Sequence, residues 1–200
     1  MKHSHSLART RVFSIVRTRI FGSYGYSLLE LVTAIGILVT LVLVATPSFA
    51  SLVAKNELTT ASNTLLDSLY FARSHAIAHQ QTVHICQRTP QALKCENDYG
   101  YNRDWSVGWL IFEDLNRDNE FDDNDILLKS VKIDGAPAIV FNQRGRLRFF
   151  ADGSARSAGY YLCSKGQTEV RHVYLLHTGR ARVDQKLSKK QLQTCAKSLL

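Results

Sequence analysis

Apolar residues are concentrated near the start of this chain. From Leu28 to Ala54 the sequence runs for about 27 residues with a single charged side chain, Glu30. Because an α-helix rises 1.5 Å per residue, this run exceeds the roughly 20 residues that are needed to cross a bilayer. The pattern predicts a helix that spans a membrane once.

Beyond this run, apolar residues recur at spacings of three and four, which is typical of one face of an amphipathic helix. The stripe consists of Leu58, Ala61, Leu65, Leu69, Ala72 and Ala76. We therefore expect one continuous helix from residue 27 to about residue 80, roughly 80 Å long. Its first half would lie in lipid and its second half would pack on a sheet.

Short runs rich in β-branched and aromatic residues follow the helix and predict strands. They cover residues 82–87, 107–112, 126–133, 138–141, 146–150 and 170–177. Turns are expected at Asp134-Gly135, Asp152-Gly153 and Lys165-Gly166. The large aromatic residues are expected in the core, namely Trp105, Trp109, Phe112 and Phe141. The predicted fold class is α+β, with a long N-terminal helix packed on mainly antiparallel strands.

Charge is distributed unevenly along the 200 residues, whose formal net charge is +8. The first 25 residues contain five basic residues and no acidic one, and residues 26–140 have a net charge of −6. Residues 141–200 contain 12 basic residues and three acidic ones. This asymmetry predicts an anionic partner for the C-terminal part, such as nucleic acid or an anionic surface. The alternative is a solvated basic face that the acidic middle of the chain balances.

The basic residues before the apolar run place the N-terminus in the cytoplasm by the positive-inside rule. Residues beyond about 55 would then lie outside. A conventional signal peptide has a shorter apolar core without a carboxylate. A plain membrane anchor leaves Glu30 unexplained, because a charge in hydrocarbon costs about 3 kcal/mol. A third interpretation comes from the junction Gly25-Tyr26-Ser27-Leu28-Leu29-Glu30.

This junction resembles the prepilin processing site of type IV pilins and type II secretion pseudopilins. The resemblance implies that a prepilin peptidase cleaves between Gly25 and Tyr26 and that Tyr26 is N-methylated, although phenylalanine is usual at this position. It also implies that Glu30 is an assembly carboxylate, which would pair with the new α-amine of a neighbouring subunit.

The same resemblance divides the chain into three segments: a cleaved basic leader (1–25), a transmembrane and assembly helix (26–54), and a head domain with a basic C-terminal tail (55–200). It implies a single pass through the inner membrane with the N-terminus cytoplasmic and the head periplasmic. The head would become extracellular in the assembled pilus, with other major and minor pilins as partners.

Two later motifs are similar to segments of the GspH/FimT family of minor pilins. They are WSVGWLIFEDLNRD at residues 105–118 and TGRAR at residues 178–182. FimT-like members bind double-stranded DNA for uptake in natural transformation through a GRxR-type motif, which stands here at residues 179–182. Such binding is expected to be independent of sequence and to weaken with salt.

Because side chains alternate along a strand, Arg180 and Arg182 are expected to share a face. The full set of DNA-binding candidates is Arg180, Arg182, Lys186, Lys189, Lys190, Arg146 and Arg148, with Arg144 in the same alternating run as the last two. The alternative function is a minor pilin or GspH-like type II secretion pseudopilin that acts in assembly at the filament tip and contacts only proteins.

Four cysteines lie in the part that is expected to be periplasmic, where disulfides persist. Three full pairings are possible. We favour Cys86 with Cys95, which closes a short loop, and Cys163 with Cys195, which ties the basic tail to the sheet.

Acidic residues follow the predicted strand at 107–112 with the spacing of an EF-hand loop. They are Asp114, Asn116, Asp118, Glu120, Asp122 and Asp125. Asn119 replaces the glycine of such a loop, Asp125 replaces its glutamate, and strands rather than helices are predicted on both sides. An acidic connecting loop is therefore favoured, and calcium is the minority hypothesis.

Other motifs for catalysis or metal binding are weak. His75 and His79 are four residues apart on the predicted helix, but they lack the glutamate of an HExxH site and are expected at its surface or in an interface. The sequence contains no P-loop, dinucleotide fingerprint or nucleophile elbow. We expect neither enzymatic activity nor a cofactor.

Overall fold

A computed structural model of the chain describes residues 25–96, 104–133, 137–164 and 169–184, together with Cys195. These residues form one helix, α1 (Leu28–His79), and eight strands. The strands are β1 (Val83–Gln87), β2 (Gly108–Glu113), β3 (Ile126–Lys132), β4 (Ala138–Phe141), β5 (Leu147–Phe149), β6 (Ala158–Cys163), β7 (Val170–Leu175) and β8 (Ala181–Asp184). Two of the expected turns, Asp134-Gly135 and Lys165-Gly166, lie outside the described residues.

The chain divides into two compact units, residues 1–44 and residues 45–200. In the first unit the described residues are helical from Leu28 onward, and all of their side chains are exposed. Helix α1 is long and apolar enough to cross a membrane. Apolar side chains in such a segment need lipid or another protein to cover them.

In the second unit α1 contributes an apolar stripe to the core. The six residues that the 3–4 spacing singled out, Leu58, Ala61, Leu65, Leu69, Ala72 and Ala76, are all at most 4% exposed. They belong to one hydrophobic cluster with residues of both sheets, among them Ile85, Ile111, Tyr160 and Val173. The predicted arrangement of a long helix packed on antiparallel strands is therefore confirmed.

The strands form two four-stranded antiparallel sheets. The first has the order β3-β2-β1-β5 and the second has the order β4-β6-β7-β8. Strand β1 is buried along its whole length, and its residues contribute to two hydrophobic clusters. Val83 and Ile85 belong to the main core, whereas Cys86 belongs to a smaller cluster with Leu110 and Phe112.

The six predicted strands are all present, but β6 and β8 were not among them. Strand β6 begins with Ala158 and Gly159, residue types that are depleted in strands. A Cβ on Gly159 would lie 2.6 Å from Nε2 of His172, so that side chain would have to shift to accommodate a larger residue. Tyr160 and Tyr161, which follow, are of a type that is enriched in strands, so a local signal for β6 was present in the sequence.

Candidate nucleic-acid interface

Strand β8 lies at the edge of the second sheet, where it pairs with β7 alone. Ala181 is 2% exposed and belongs to the core, while Arg180 and Arg182 on either side of it are exposed. Because side chains alternate along extended backbone, the two guanidinium groups lie on the same outward side. This is the placement that the sequence pattern predicted.

A tight hairpin turn positions this pair of arginines. The amide of Gly179 donates to the carbonyl of Leu176 at 2.9 Å, and the amide of Leu176 donates to the carbonyl of Arg180 at 2.9 Å. Gly179 has a φ of +73°, in the left-handed region that favours glycine. The turn therefore requires the glycine of the GRxR motif.

The turn and the strand are fastened to the rest of the second unit. The amide of Ala155 donates to the carbonyl of His177 at 3.0 Å. On the helix side, the Tyr70 hydroxyl donates to the carbonyl of Ala181 at 2.8 Å. These bonds hold the arginine-bearing strand on a packed scaffold, which favours a preorganised binding surface.

The outward face beside Arg182 is aromatic. Arg182 lies opposite Tyr174 in the sheet register, and the rings of His172 and Tyr174 are stacked with centroids 5.7 Å apart. Burial lowers the pKa of His172, while the carboxylate of Asp184 opposes that shift. Within the described part of the chain, neither Arg180 nor Arg182 forms an ion pair.

Arg146 and Arg148 are not brought to this surface. Arg148 lies on β5, an edge strand of the other sheet, and Arg146 immediately precedes that strand. Lys186, Lys189 and Lys190 lie outside the described residues.

Arg146 and Arg148 instead line a cleft of about 260 Å³. His84 and Arg156, which no sequence motif singled out, line the same cleft. The predicted turn at Asp152-Gly153 could have indicated the position of Arg156. A hairpin at this turn brings the residues that follow it alongside β5.

The acidic loop is organised by its own backbone. Asp114 accepts hydrogen bonds from the amides of Arg117 at 2.7 Å and Asn119 at 3.1 Å. Asp125 accepts from the amides of Leu115 and Asp122, each at 3.1 Å. Among the residues that the structure describes, no group of three or more His, Cys, Asp or Glu side chains is placed to hold a metal ion. These carboxylates accept hydrogen bonds from loop amides, and calcium binding by the loop stays a prediction.

The two histidines on the helix form a surface cluster. Nε2 of His75 lies 2.9 Å from a carboxylate oxygen of Glu113, and its ring stacks on that of His79 with centroids 4.0 Å apart. The contact between His75 on α1 and Glu113 on β2 gives this histidine a structural role in joining the helix to the sheet.

The cysteines form two disulfides, Cys86–Cys95 and Cys163–Cys195. The Cα atoms are 5.6 Å apart in each pair. This is the pairing that the sequence analysis favoured. The second disulfide joins Cys195 to Cys163 at the end of β6.

The residues of the expected processing site lie at the exposed start of α1. Gly25 and Tyr26 precede the helix, and Glu30 lies in its first turn. Tyr26 is 85% exposed, and no atom lies within 4 Å of where a Cβ on Gly25 would be.

Comparison with known proteins gives one family match. The model of the family described as "Type II transport protein GspH" matches residues 61–179. The match ends at the residue before Arg180. No curated protein matches the chain.

The chain is also similar to solved structures, two of which are a minor pilin and a minor pseudopilin. The type IV minor pilin FimU of Pseudomonas aeruginosa is 21% identical with a TM-score of 0.49, and the match covers 65% of this chain and 90% of FimU. The minor pseudopilin EpsH from the type 2 secretion system of Vibrio cholerae is 15% identical with a TM-score of 0.45, and that match covers 64% of this chain and 97% of EpsH.

Proposed function

Because the chain belongs to the GspH family, and is thus a minor pilin or pseudopilin of a type IV pilus or a type II secretion system, we propose that it captures extracellular double-stranded DNA through Arg180 and Arg182. Members of this family are filament subunits rather than enzymes. The proposal makes this subunit the DNA-contacting component of a pilus that serves natural transformation.

The observation that supports DNA binding is the exposed pair of Arg180, immediately before β8, and Arg182 on β8. Side chains two residues apart on a strand are separated by roughly 6.5 to 7 Å, a distance that suits two phosphates of one DNA strand. Guanidinium groups bind phosphate oxygens in a fixed fork geometry. Contacts of this kind position the duplex without reading its sequence.

The proposal predicts a weak single site with a strong dependence on salt. Each neutralised phosphate contributes about −0.9 to the slope of log affinity against log salt concentration. Loss of Arg180 and Arg182 should therefore reduce the magnitude of the slope by about 2. Lys186, Lys189 and Lys190 would add further contacts, and several copies in one filament would raise the avidity.

The test is a titration of a short DNA duplex with the full chain in maltoside micelles at two salt concentrations. The variant is Arg180→Gln/Arg182→Gln, and the expected result is loss of most of the affinity together with a shallower salt slope. The double variant Arg117→Gln/Lys129→Gln removes the same two charges elsewhere and should retain both the affinity and the slope.

Equal loss of affinity in the two double variants would reduce the effect to net charge and overturn the assignment to β8. If the unaltered chain does not bind the DNA duplex at low salt, the DNA-binding proposal is overturned and assembly remains as the candidate function. That second candidate is supported by the exposed apolar side chains of α1, since the large ones include Leu31, Ile37 and Leu43 and each is more than half exposed.

The N-terminal features belong to the same proposal. Cleavage after Gly25 would leave Tyr26 as a new N-terminus for methylation, and Glu30 would pair with the α-amine of a neighbouring subunit. A carboxylate in hydrocarbon is costly unless it is paired, so this contact would fix the register of assembly. Before assembly, α1 would hold the subunit in the inner membrane with residues beyond about 55 in the periplasm.

A further inference from the structure

The cleft beside β5 has the chemistry of an anion site. Its walls include Arg146, Arg148 and Arg156, together with Asn119 and Phe150, and His84 lies against it. With a volume of about 260 Å³ it has room for a small tetrahedral anion together with bound water. It lies on the first sheet, whereas Arg180 and Arg182 lie on or beside the edge strand of the second.

The sheet register brings two of these arginines together. An antiparallel bridge joins Phe149 to Ala155, so the residues next to them, Arg148 and Arg156, lie opposite each other. Like charges directly opposite each other in a sheet are destabilising unless something compensates them. Within the described residues, neither of these two arginines forms an ion pair with a carboxylate.

Arg148 is held in place by neutral groups. Its Nη1 atom donates to Oδ1 of Asn119 at 3.1 Å, and its guanidinium lies over the ring of Phe150, 4.6 Å from the centroid. Both contacts orient the guanidinium and leave its charge uncompensated. Arg146 adds a third positive group, from a side chain that is only partly exposed.

His84 supplies a second, independent observation. The residue is 1% exposed, and its Nδ1 atom has no hydrogen-bond partner among the residues that the structure describes, whereas its Nε2 atom lies 3.2 Å from Oδ2 of Asp114. A buried polar group in this state requires an explanation, of which an unseen ligand is one. Burial lowers the pKa of His84 to about 4; Arg146 and Arg148 lower it too, whereas Asp114 and Asp118 oppose them. A neutral ring can accept a hydrogen bond from a protonated phosphate oxygen.

We propose that Arg146, Arg148 and Arg156 form a binding site for one phosphate group, with His84 against the bound anion. The inference goes beyond the proposed function, since it concerns a recessed site on the other sheet and stands whether or not β8 binds DNA. The phosphate could be inorganic or the terminal phosphate of a nucleic acid, and the two sources present the same oxyanion to the arginines.

The test uses inorganic phosphate and the full chain in maltoside micelles at pH 7.5 and constant ionic strength, because a phosphocholine detergent would compete. Calorimetry measures the affinity, and the nitrogen chemical shifts of a ¹⁵N-histidine sample report on the ring of His84. The expected result is saturable binding that shifts the His84 resonances.

Variants then locate the site. Arg156→Gln and Arg146→Gln should each weaken phosphate binding by about tenfold or more, as expected for loss of a charge-assisted contact. Arg144→Gln removes an exposed arginine of the same segment that does not line the cleft, and it should bind phosphate within about twofold of the unaltered chain. Arg156 is exposed, so its variant should fold even if Arg146→Gln does not.

Equal phosphate affinity in the unaltered chain and Arg156→Gln would overturn the proposal. Equal affinity for acetate and phosphate would overturn the assignment to phosphate. In the Arg180→Gln/Arg182→Gln background, displacement of phosphate by a 5′-phosphorylated oligonucleotide, but not by its 5′-hydroxyl form, would identify a nucleic-acid source. Binding of inorganic phosphate without such displacement would support the same site with free phosphate as its ligand. Because Arg180 and Arg182 are absent from this variant, the experiment tests phosphate binding in the cleft separately from DNA binding at β8.

Discussion

Gly179 packs directly against the carbonyl oxygen of Gly153, so that a Cβ on Gly179 would overlap that oxygen. The same carbonyl accepts a hydrogen bond from Nε of Arg73 on α1 at 3.0 Å. The turn before β8 therefore packs against the turn after β5. Arg73 of α1 holds that second turn in place through its hydrogen bond. The position of the arginine pair depends on this contact between two glycines.

Gly179→Ala should weaken DNA binding without changing the net charge. The substitution combines a backbone φ of +73° with a steric overlap, and we expect it to destabilise the fold by about 1 to 3 kcal/mol. Urea denaturation followed by the fluorescence of the two tryptophans measures the stability, and a duplex titration measures the binding. Gly36→Ala is the control, since no atom lies within 4 Å of its Cβ position. Unaltered DNA affinity in a folded Gly179→Ala protein would show that the turn does not position the arginines.

The free energy of unfolding should decrease as the pH is lowered, because of His84. Burial lowers the pKa of its ring to about 4 in the folded chain, whereas an unfolded histidine titrates near 6.5. Between these values the unfolded state binds a proton that the folded state does not, so stability is present above pH 6.5 and is lost as the pH falls toward 4. The expected loss between pH 7.5 and pH 4.5 is about 2.5 kcal/mol.

The measurement is urea denaturation at these two pH values for the unaltered chain and for His84→Gln. The glutamine variant should lose less stability on acidification, by about the amount that His84 contributes. His79→Gln replaces an exposed histidine and should behave like the unaltered chain. Parallel pH profiles for the unaltered chain and His84→Gln would contradict the assignment.

Much of the fold follows from local patterns in the sequence, because the periodicity of α1 and the β-rich runs reflect burial directly. Leu58 and Ala76 are buried as their spacing predicts, and Trp105 and Trp109 are both core residues. Strand β6 was missed although Tyr160 and Tyr161 favour a strand, because Ala158 and Gly159 at its start are of types that are depleted in strands.

The predicted DNA-binding arginines also differ in how far local sequence determines their placement. The exposure of Arg180 and Arg182 follows from strand alternation around Ala181, which is local. The separation of Arg148 from this pair depends on which sheet β5 joins, and the grouping of Arg148 with Arg156 depends on register. Strand order and register between distant segments are set by the packed core, so the sequence pattern alone could not supply them.

Processing at the N-terminus is tested by two substitutions with different expected outcomes. Gly25→Leu should block cleavage, so that intact mass spectrometry finds residues 1–25 retained. Glu30→Gln should be cleaved normally but largely lost from sheared filaments, because the carboxylate that pairs with the neighbouring α-amine is absent. Gly25 and Glu30 are both exposed, so both variants should fold. Cleavage of Gly25→Leu, or normal incorporation of Glu30→Gln, would contradict the proposed roles.

The disulfide between Cys163 and Cys195 should affect both stability and DNA binding. Its partners are 32 residues apart, and the chain-entropy model gives about 3 to 4 kcal/mol for a loop of that size. Cys163→Ala/Cys195→Ala should lose that stability and also bind DNA more weakly, since the tail with Lys186, Lys189 and Lys190 is released from the sheet.

Cys86→Ala/Cys95→Ala is the matched comparison. Its partners are nine residues apart, so the expected loss is smaller, roughly 2.5 kcal/mol, and DNA affinity should be retained. Calorimetric unfolding and duplex titration of both double variants separate the two effects. If the DNA affinity fell equally in both, loss of stability would explain it; if it fell in neither, the tail would act independently of its anchor. The contrast expected here, weaker binding only when Cys195 is released, would make the second disulfide a positioning device for the basic tail.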